Sequence, residues 1–228
     1  MKPLTQRRDQ LARGREGVPK ARAYWREKAN VKLDGKLDEE FWQGMMTYSL
    51  SELETGRAPA FATSFKVACT DDSLYFGITC QETDMKRLPV GESKEDDTNI
   101  FLGDSVELLI ETQTHSYYQI AISPTGAIVD LDRKKGLDTL WSSKAQVAVH
   151  RGDSFWSVEV RLPIAGEGQE QLDPRNGVSG RRPTETYPWF FNVCRQRVRD
   201  NGMERSAFSP TGTASFHDVM KFGELFAR

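Results

Sequence analysis

The sequence lacks the features that mark a zinc protein, a membrane protein or a nucleic-acid-binding protein. It has three cysteines, and none has the Cys-x-x-Cys or Cys/His spacing of a zinc site. No apolar run approaches membrane-spanning length. The net charge of −2 provides no strong field toward nucleic acid or anionic lipid. We therefore expect neither a nucleic acid nor a membrane as a partner.

The cysteines, Cys69, Cys80 and Cys194, lie in apolar, strand-like runs. A free cysteine in such a run behaves as a small buried hydrophobe. Cys69 and Cys80 flank a tight turn but are not placed symmetrically about it. We therefore predict buried free thiols and no disulfide between these two strands.

Motifs for catalysis are also missing. The sequence has no glycine-rich loop for phosphate, and Ser209-Pro210 does not match a nucleophile elbow. The histidines lie in predicted loops or at strand ends, away from any nucleophile motif. One enzymatic alternative stays open, a glycosidase that uses the carboxylates of Glu107 and Glu159.

The first 28 residues are basic and poor in apolar side chains. Residues 4–15 are predicted to form a short helix, which Gly14, Gly17 and Pro19 interrupt. We interpret residues 1–28 as an N-terminal extension, either solvated or used as an arm that binds a partner. The segment has no apolar core of the kind found in export signals. Either the protein is cytoplasmic, or the sequence begins after a removed signal.

Helical periodicity is nearly absent, whereas short alternating segments occur throughout residues 29–228. The clearest hairpin runs from Thr63 to Cys80 around a turn at Asp71 and Asp72. Roughly nine to eleven strands without helices between them indicate an all-β domain of two packed sheets. We predict a single β-sandwich over residues 29–228.

Residues 96–132 contain two strands with polar side chains in unusual places. Alternation directs Val106 and Leu108 to one face of the first strand and Glu107 to the other. In the second strand it separates Ile120 from Gln119. One buried face explains the apolar set. The long polar side chains of Glu107 and Gln119 in mid-strand need another explanation.

Five short motifs occur, once each, over about residues 30–228. They are Leu-Asp-Gly-Lys-Leu-Asp at 33–38 followed by Phe41-Trp42, Asp-Asp-Ser-Leu-Tyr-Phe-Gly at 71–77, Asp-Ser-Val-Glu at 104–107, the strand around Asn192, and the closing segment of His217-Asp218 with residues 221–225. Together they resemble the motifs of family 9 carbohydrate-binding modules and are fairly specific to that family.

The resemblance implies an immunoglobulin-like β-sandwich that binds the ends of glucan or xylan chains, or small sugars, without catalysing a reaction. Such modules are usually attached to secreted bacterial glycoside hydrolases. We therefore expect a carbohydrate ligand, a glycoside hydrolase or another polysaccharide-processing protein as partner, and an extracellular or periplasmic location. The family also commonly carries structural calcium.

The resemblance places an aromatic clamp at Phe101 and Phe216, where the family usually has tryptophan. Phenylalanine still stacks on the CH face of a sugar, with less area and no N–H group. Glu107 matches the family's motif glutamate, and Gln119 lies near its ligand-contacting polar residue. Both side chains are suited to hydrogen-bond sugar hydroxyls.

Other side chains are weaker candidates for the same site. Trp141 is suited to an apolar platform and Arg195 to polar contacts, with Arg197, Glu159 and Arg161 extending the polar face. The alternative is that the charged residues form cross-strand ion pairs on a solvated sheet. For Trp141 the alternative is burial in the core or at its rim.

Calcium requires several oxygen ligands from one or two loops. Asp97 and Asp104 are the preferred candidates, with Asp96, Asp130 and Asp132 nearby in the sequence. None has EF-hand spacing, and a solvated acidic loop without metal is the alternative.

A further alternative comes from another functional class. Related sandwiches bind haem for electron transfer through a methionine paired with a histidine or lysine. Met85 or Met203 with His115 or His217 are the side chains available for this role, although no spacing supports it.

Overall fold

The protein is built from β-strands. The computed structural model describes residues 15–88, 96–113, 115–135, 140–165, 177–200 and 202–228. The strands in these ranges are β1 (Lys20–Trp25), β2 (Tyr48–Ser49), β3 (Ser51–Glu52), β4 (Thr63–Cys69), β5 (Ser73–Gln81), β6 (Ser105–Glu111), β7 (Tyr118–Ile122), β8 (Ile128–Asp132), β9 (Gln146–Arg151), β10 (Phe155–Ala165), β11 (Val178–Ser179), β12 (Trp189–Arg199), β13 (Gly202–Ala207) and β14 (Gly223–Ala227).

Short 3-10 helices connect some of these strands, at Glu40–Trp42, Met85–Arg87, Thr98–Leu102, Arg133–Lys135 and Val219–Lys221. The described ranges contain no α-helix, as the absence of helical periodicity predicted. Within the same ranges, no helix combines the length and the apolar composition that crossing a membrane requires.

The strands form one large, curled, mixed sheet. Its main path runs in the order β11-β10-β5-β4-β1-β14-β12-β6-β7-β8, with β2, β3, β9 and β13 paired beside it. β1 joins the two halves, because residues 20–23 pair with β14 and residues 24–25 pair with β4, both in parallel. The all-β prediction is confirmed. The finer prediction of two separate immunoglobulin-like sheets is not confirmed, since β1 bonds to both halves.

The two halves of the curled sheet face each other across one apolar core. Phe191 of β12 lies 5.9 Å from Phe65 of β4 and 6.3 Å from Phe76 of β5, measured between ring centroids. The predicted apolar faces are confirmed, because Val106, Leu108 and Ile120 lie in this core. The same core contains Ile110, Tyr118, Ile122, Trp156, Val158, Val160 and Leu162. The opposite face of β6 and β7 is therefore free to carry polar side chains.

The predicted hairpin and the predicted free thiols are confirmed. β4 and β5 pair antiparallel, with Cys80 opposite Thr63 and Cys69 opposite Leu74. The two cysteines are thus not cross-strand neighbours. All three cysteines are free and buried.

The N-terminal boundary requires a correction. Residues 20–25 were assigned to an extension, but they form β1, which is central to the sheet. The segment gave little apolar signal because its buried side chains are only those of Ala21 and Ala23. Parallel hydrogen bonds to β4 and β14 hold it there, together with the partly buried Tyr24 and Trp25, which pack against apolar clusters. Most of the predicted helix over residues 4–15 lies outside the described residues.

The Leu-Asp-Gly-Lys-Leu-Asp motif covers the outer face of β10. Its Gly35 has a φ of +82°, and a Cβ there would lie 2.3 Å from the backbone nitrogen of His150, so only glycine fits. The backbone N–H groups of Asp34 and Gly35 both donate to Glu159 Oε2, at 2.9 Å. Trp42 Nε1 donates to Glu159 Oε1 at 2.8 Å. Glu159 therefore anchors the motif to the sheet.

Candidate functional site

A cavity of about 470 Å³ lies on the face of β6, β7 and β8 that points away from the core. The sheet forms its floor, the 3-10 helix Thr98–Leu102 forms one wall, and residues 214–217 form the opposite wall. The lining side chains are Thr98, Phe101, Glu107, Gln119, Leu131, Arg133, Gln196, Arg205, Ala214, Ser215, Phe216 and His217. The cavity thus brings together segments more than a hundred residues apart in the sequence.

The floor is a hydrogen-bonded pair of polar side chains. Glu107 and Gln119 are 3% and 2% exposed, and Gln119 Nε2 donates to Glu107 Oε2 at 2.8 Å. Burial raises the pKa of Glu107 to about 7, against the opposing effects of the Gln119 hydrogen bond, Arg133 and Arg205. Gln119 Oε1 is buried without a hydrogen-bond partner. A buried acceptor left unpaired is costly, so a ligand hydroxyl that reached it would be favoured.

The wall that carries Phe101 is fixed to the sheet by backbone contacts. Gln196 Nε2 donates to the carbonyl oxygens of Phe101 and Gly103 at 2.9 and 3.0 Å. Asp97 caps the same 3-10 helix by accepting from the Asn99 N–H at 3.0 Å. The Phe101 ring, which is partly exposed, packs against the apolar side chains of β7 and β8 and presents its remaining surface to the cavity.

The opposite wall, residues 214–217, is tied down at two points. Asn192 of β12 holds the Ser209 backbone from both sides, because Nδ2 donates to its carbonyl at 2.8 Å and Oδ1 accepts from its N–H at 2.9 Å. Arg205 of β13 donates from Nη1 to the Ala214 carbonyl at 2.8 Å. Phe216 is 6% exposed and packs against Leu109 and neighbouring apolar side chains.

Three basic side chains line the cavity that the sequence did not predict as sugar-binding residues, although His217 was a candidate haem ligand. Arg133 donates from Nε to the Tyr117 hydroxyl at 3.2 Å, and His217 Nδ1 lies 3.3 Å from the same hydroxyl. Arg205 is the third. Burial, and then Arg133, lower the pKa of His217, so its ring stays neutral near pH 7. Arg133 and Arg205 come from the end of β8 and from β13, which no motif marked as part of a site.

Four predicted site residues meet in this cavity, namely Phe101, Glu107, Gln119 and Phe216. Trp141 does not line it: the ring is 3% exposed, stacks on Tyr118 at 4.5 Å and donates from Nε1 to the Gly177 carbonyl. The position of Trp141 fits the alternative interpretation, in which it is a core residue.

Arg195 also lies outside the cavity. It points into the opposite face of β12 and donates to Thr63 Oγ1 and the Gln81 carbonyl, at 3.0 and 2.9 Å. The next arginines on that face, Arg197 and Arg199, donate to the fully buried Glu82 at 2.8 and 2.6 Å. This cluster closes one end of the sandwich by linking β12 to β4 and β5.

The two carboxylates of the glycosidase alternative are on different halves of the sheet. Glu107 lies in the cavity, whereas Glu159 is fully buried beneath Trp42, with both oxygens accepting hydrogen bonds. Arg161 is held by Ser73 and Asp72 at the start of β5. Neither Glu159 nor Arg161 lines the cavity with Glu107.

The predicted calcium ligands do not converge. Asp97 caps a 3-10 helix, and Asp104 Oδ1 accepts from the Val198 N–H and from Arg199 Nη1 at 2.9 and 2.8 Å. Asp104 Oδ2 is buried and unpaired, but the guanidinium beside it already supplies a cation. In the described part of the chain, the acidic group close enough to share an ion is instead Asp34, Glu39 and Glu159. The arrangement at Asp97 and Asp104 therefore does not fit calcium, which takes six to eight oxygens.

The side chains of the haem alternative are occupied elsewhere. His115 Nε2 lies 2.6 Å from Asp132 Oδ1, and its ring stacks on Tyr118 at 4.2 Å. Met85 packs against the main core, and Met203 is exposed on β13. His217 lines the cavity described above.

Comparison with known proteins points to one family. The family model described as carbohydrate family 9 binding domain-like matches residues 33–226. No curated protein sequence matches the chain. Among solved structures, a candidate carbohydrate-binding protein from Bacteroides uniformis ATCC 8492 aligns with a TM-score of 0.71 and 12% identity, over 93% of this chain and 100% of that one.

Two further similar structures are of a family 9 carbohydrate-binding module from Caldicellulosiruptor kristjanssonii. The complex with cellotriose has a TM-score of 0.61 and 13% identity, over 91% of this chain and 94% of that one. The complex with glucose has a TM-score of 0.60 and 12% identity, over 91% and 96%. At these identities the likeness establishes a shared fold.

Proposed function

The chain belongs to the carbohydrate family 9 binding domain-like family, and from this membership and the cavity on β6, β7 and β8 we propose that it binds carbohydrate without catalysing a reaction. The observation that supports the proposal most is the meeting of Phe101, Phe216, Glu107 and Gln119 in one cavity. Two aromatic walls above a polar floor suit a sugar ring, which has apolar CH faces and polar edges.

In this proposal the aromatic side chains contact the sugar ring, and the polar side chains form hydrogen bonds with it. Phe101 and Phe216 contact the CH faces of the ring, and their burial of apolar area supplies much of the affinity. Glu107 and Gln119 accept hydrogen bonds from neighbouring hydroxyls, and Arg133 and Arg205 donate to ring or hydroxyl oxygens. At about 470 Å³ the cavity suits one or two sugar units, such as the end of a glucan or xylan chain.

Calorimetry tests the proposal directly. We expect cellobiose, xylobiose, glucose or galactose to bind with a dissociation constant in the micromolar to millimolar range, and Phe101→Ala to weaken this binding by about tenfold or more. Absence of binding by all four sugars at about millimolar concentration would contradict the proposal. Titrations with added calcium and after EDTA treatment also test the calcium prediction, for which Asp97 and Asp104 are poorly arranged.

We further propose a setting for this binding activity. Family membership supports a role beside a glycoside hydrolase or another polysaccharide-processing protein, outside the cytoplasm. Detection of the protein in the periplasmic or culture fraction of the native cells tests the location. Recovery in the cytoplasmic fraction alone would contradict it.

A further inference from the structure

The cavity has more positive than negative charge. Its lining contains two arginines, Arg133 and Arg205, and one acidic side chain, Glu107. Arg133 donates to a tyrosine hydroxyl and Arg205 to a backbone carbonyl. Within the described residues, therefore, neither guanidinium forms an ion pair. Both lower the pKa of Glu107 through space, which places them within electrostatic reach of the cavity floor.

The hydrogen bonds that position these arginines leave donors unused. Arg205 employs Nη1 and Arg133 employs Nε, and a guanidinium offers further N–H groups in a planar fork. Such a fork matches the two oxygens of a carboxylate or the oxygens of a sulfate ester. A neutral sugar would meet these donors only with hydroxyl and ring oxygens, which bond less strongly than an anion does.

Glu107 is the acidic side chain that would oppose an anionic ligand in this cavity. It is 3% exposed, and burial brings its pKa to about 7, so a large share of the molecules carry it protonated at neutral pH. A protonated Glu107 donates a hydrogen bond instead of repelling an anion. The floor therefore tolerates a negative group that the arginines attract.

We propose that the cavity selects a sugar that carries an anionic substituent, a carboxylate or a sulfate ester, and that Arg133 and Arg205 determine this specificity. The inference rests on the proposed carbohydrate binding and narrows the class of its ligand. Apolar contact with Phe101 and Phe216 holds the ring, and the two guanidinium groups pair with the anionic group at its edge.

A matched ligand series tests this specificity. Glucose, glucuronate and glucose 6-sulfate share a ring and differ at C6, and galactose, galacturonate and galactose 6-sulfate form a second set. Calorimetry at low ionic strength and pH 7 should show at least about tenfold tighter binding of one anionic member than of its neutral parent. Tighter binding of the uronate identifies a carboxylated ligand, and tighter binding of the sulfate ester identifies a sulfated one.

Substitutions of Arg133 and Arg205 test whether these side chains cause the tighter binding of anionic sugars. Arg133→Gln and Arg205→Gln should each reduce the anionic-to-neutral affinity ratio toward one, whereas Arg205→Lys should retain part of it. Arg182→Gln is the matched control, because Arg182 is exposed beside Trp25, outside the cavity lining, and its loss changes the net charge equally. Thermal melts show which variants remain folded, since Arg205 also holds the Ala214 carbonyl.

Failure of the anionic preference and failure of carbohydrate binding give different results in these titrations. Equal affinity for neutral and anionic sugars overturns the anionic preference and leaves carbohydrate binding in place. A ratio unchanged in both glutamine variants, or inorganic sulfate binding as tightly as the sulfated sugar, also overturns it. No binding by any sugar contradicts both proposals.

Discussion

Gln119 donates a hydrogen bond of 2.8 Å to Glu107 across neighbouring strands, and both side chains are buried on the floor of the cavity. Glu107 is opposite Ala121 and Gln119 is opposite Leu109, so the pair lies on a diagonal of the ladder. Two long polar side chains thus occupy positions where a sheet with a packed second face would carry apolar ones. The pair makes the stability of the fold depend on the charge of Glu107.

Glu107→Gln should stabilise the protein at high pH. Burial raises the pKa of Glu107 from its ordinary 4.5 to about 7, so the folded state prefers the protonated acid. This contribution to stability is fully present below about pH 4.5 and is lost as pH rises through about 7. Since one pKa unit is about 1.4 kcal/mol, wild type should lose about 3 kcal/mol relative to the variant over this range.

Urea unfolding at several pH values between about 5 and 8 measures this difference. In the variant, the side-chain carbonyl can still accept from Gln119 Nε2, as Glu107 Oε2 does in the wild type. Glu54→Gln, at an exposed position, is the control and should give a difference that does not vary with pH. A constant difference for Glu107→Gln as well would show that Glu107 is not buried as a neutral acid.

Phe101→Ala should weaken sugar binding by about tenfold or more without a large loss of stability, because the ring is partly exposed and contributes chiefly to the cavity wall. Phe101→Trp should tighten binding, since indole adds stacking area and an N–H donor. Calorimetry with the best-bound sugar measures both changes.

Leu102→Ala is the control for the Phe101 variants, because Leu102 is 73% exposed and does not line the cavity. Phe216→Ala is less informative, since Phe216 is 6% exposed and its truncation should also cost about 3–5 kcal/mol of stability. Unchanged affinity in Phe101→Ala would show that Phe101 is not part of a clamp.

Alternation made the sheet predictable wherever one face is apolar. β6 could be assigned with its faces because Val106 and Leu108 alternate with Glu107 and both reach the core. β1 could not, because Ala21 and Ala23 bury little area and its position depends on hydrogen bonds to β4 and β14. Pairing with distant strands leaves no local pattern in the sequence.

The sequence predicted some of the side chains that line the cavity and not others. Phe101 and Glu107 lie in or near motifs, whereas Arg133 and Arg205 reach the cavity because β8 and β13 flank it in the folded chain. Arg195 was predicted to contact the ligand, but it lies on the other face of β12, since alternation fixes which residues share a face but not which face is inward. Its neighbour Gln196 is the β12 side chain that lines the cavity.

Asn192→Ala should destabilise the protein and weaken sugar binding together. The fully buried Asn192 side chain satisfies both the N–H and the carbonyl of Ser209, so truncation leaves two buried backbone groups unpaired. Each such loss costs about 1–3 kcal/mol. Residues 214–217 follow Ser209 closely, so their cavity wall should loosen.

Denaturant unfolding and calorimetry measure the two effects of Asn192→Ala. Asn192→Asp is the informative comparison, because it keeps an acceptor for the Ser209 N–H and loses the donor to the carbonyl. Wild-type sugar affinity in a folded Asn192→Ala protein would contradict the role assigned to this anchor.

Glu82→Gln should cost about 3–5 kcal/mol of stability. Glu82 is fully buried, and although burial alone would raise its pKa, hydrogen bonds and charges from Arg197 and Arg199 lower it. Removing this carboxylate takes away the ion-pair partner of the buried Arg195 and of Arg197, whereas Arg199 keeps Asp104. Glu224→Gln removes the partly exposed partner of the exposed Lys20 and should cost less than about 1 kcal/mol. Equal effects of the two substitutions in urea unfolding would contradict this account.

The affinity for an anionic sugar should fall as pH rises between about 6 and 8, whereas affinity for its neutral parent should rise. An anion near Glu107 disfavours its ionisation, so binding raises the pKa of Glu107 above about 7 and takes up a proton. A neutral sugar that donates a hydroxyl to Glu107 favours the carboxylate, so binding lowers that pKa and releases a proton.

Two other titratable groups lie near Glu107, and their contributions to the pH dependence of affinity must be distinguished from that of Glu107. The pKa of His217 is lowered by burial and by Arg133, and burial holds the pKa of the Cys194 thiol well above its usual value. Cys194 therefore stays neutral, whereas an anion near His217 would raise its pKa and produce a slope of the same sign. Calorimetry in two buffers of different ionisation enthalpy counts the protons taken up. The slope for the anionic sugar should disappear in Glu107→Gln and persist in His217→Gln, and the reverse result would assign it to the histidine.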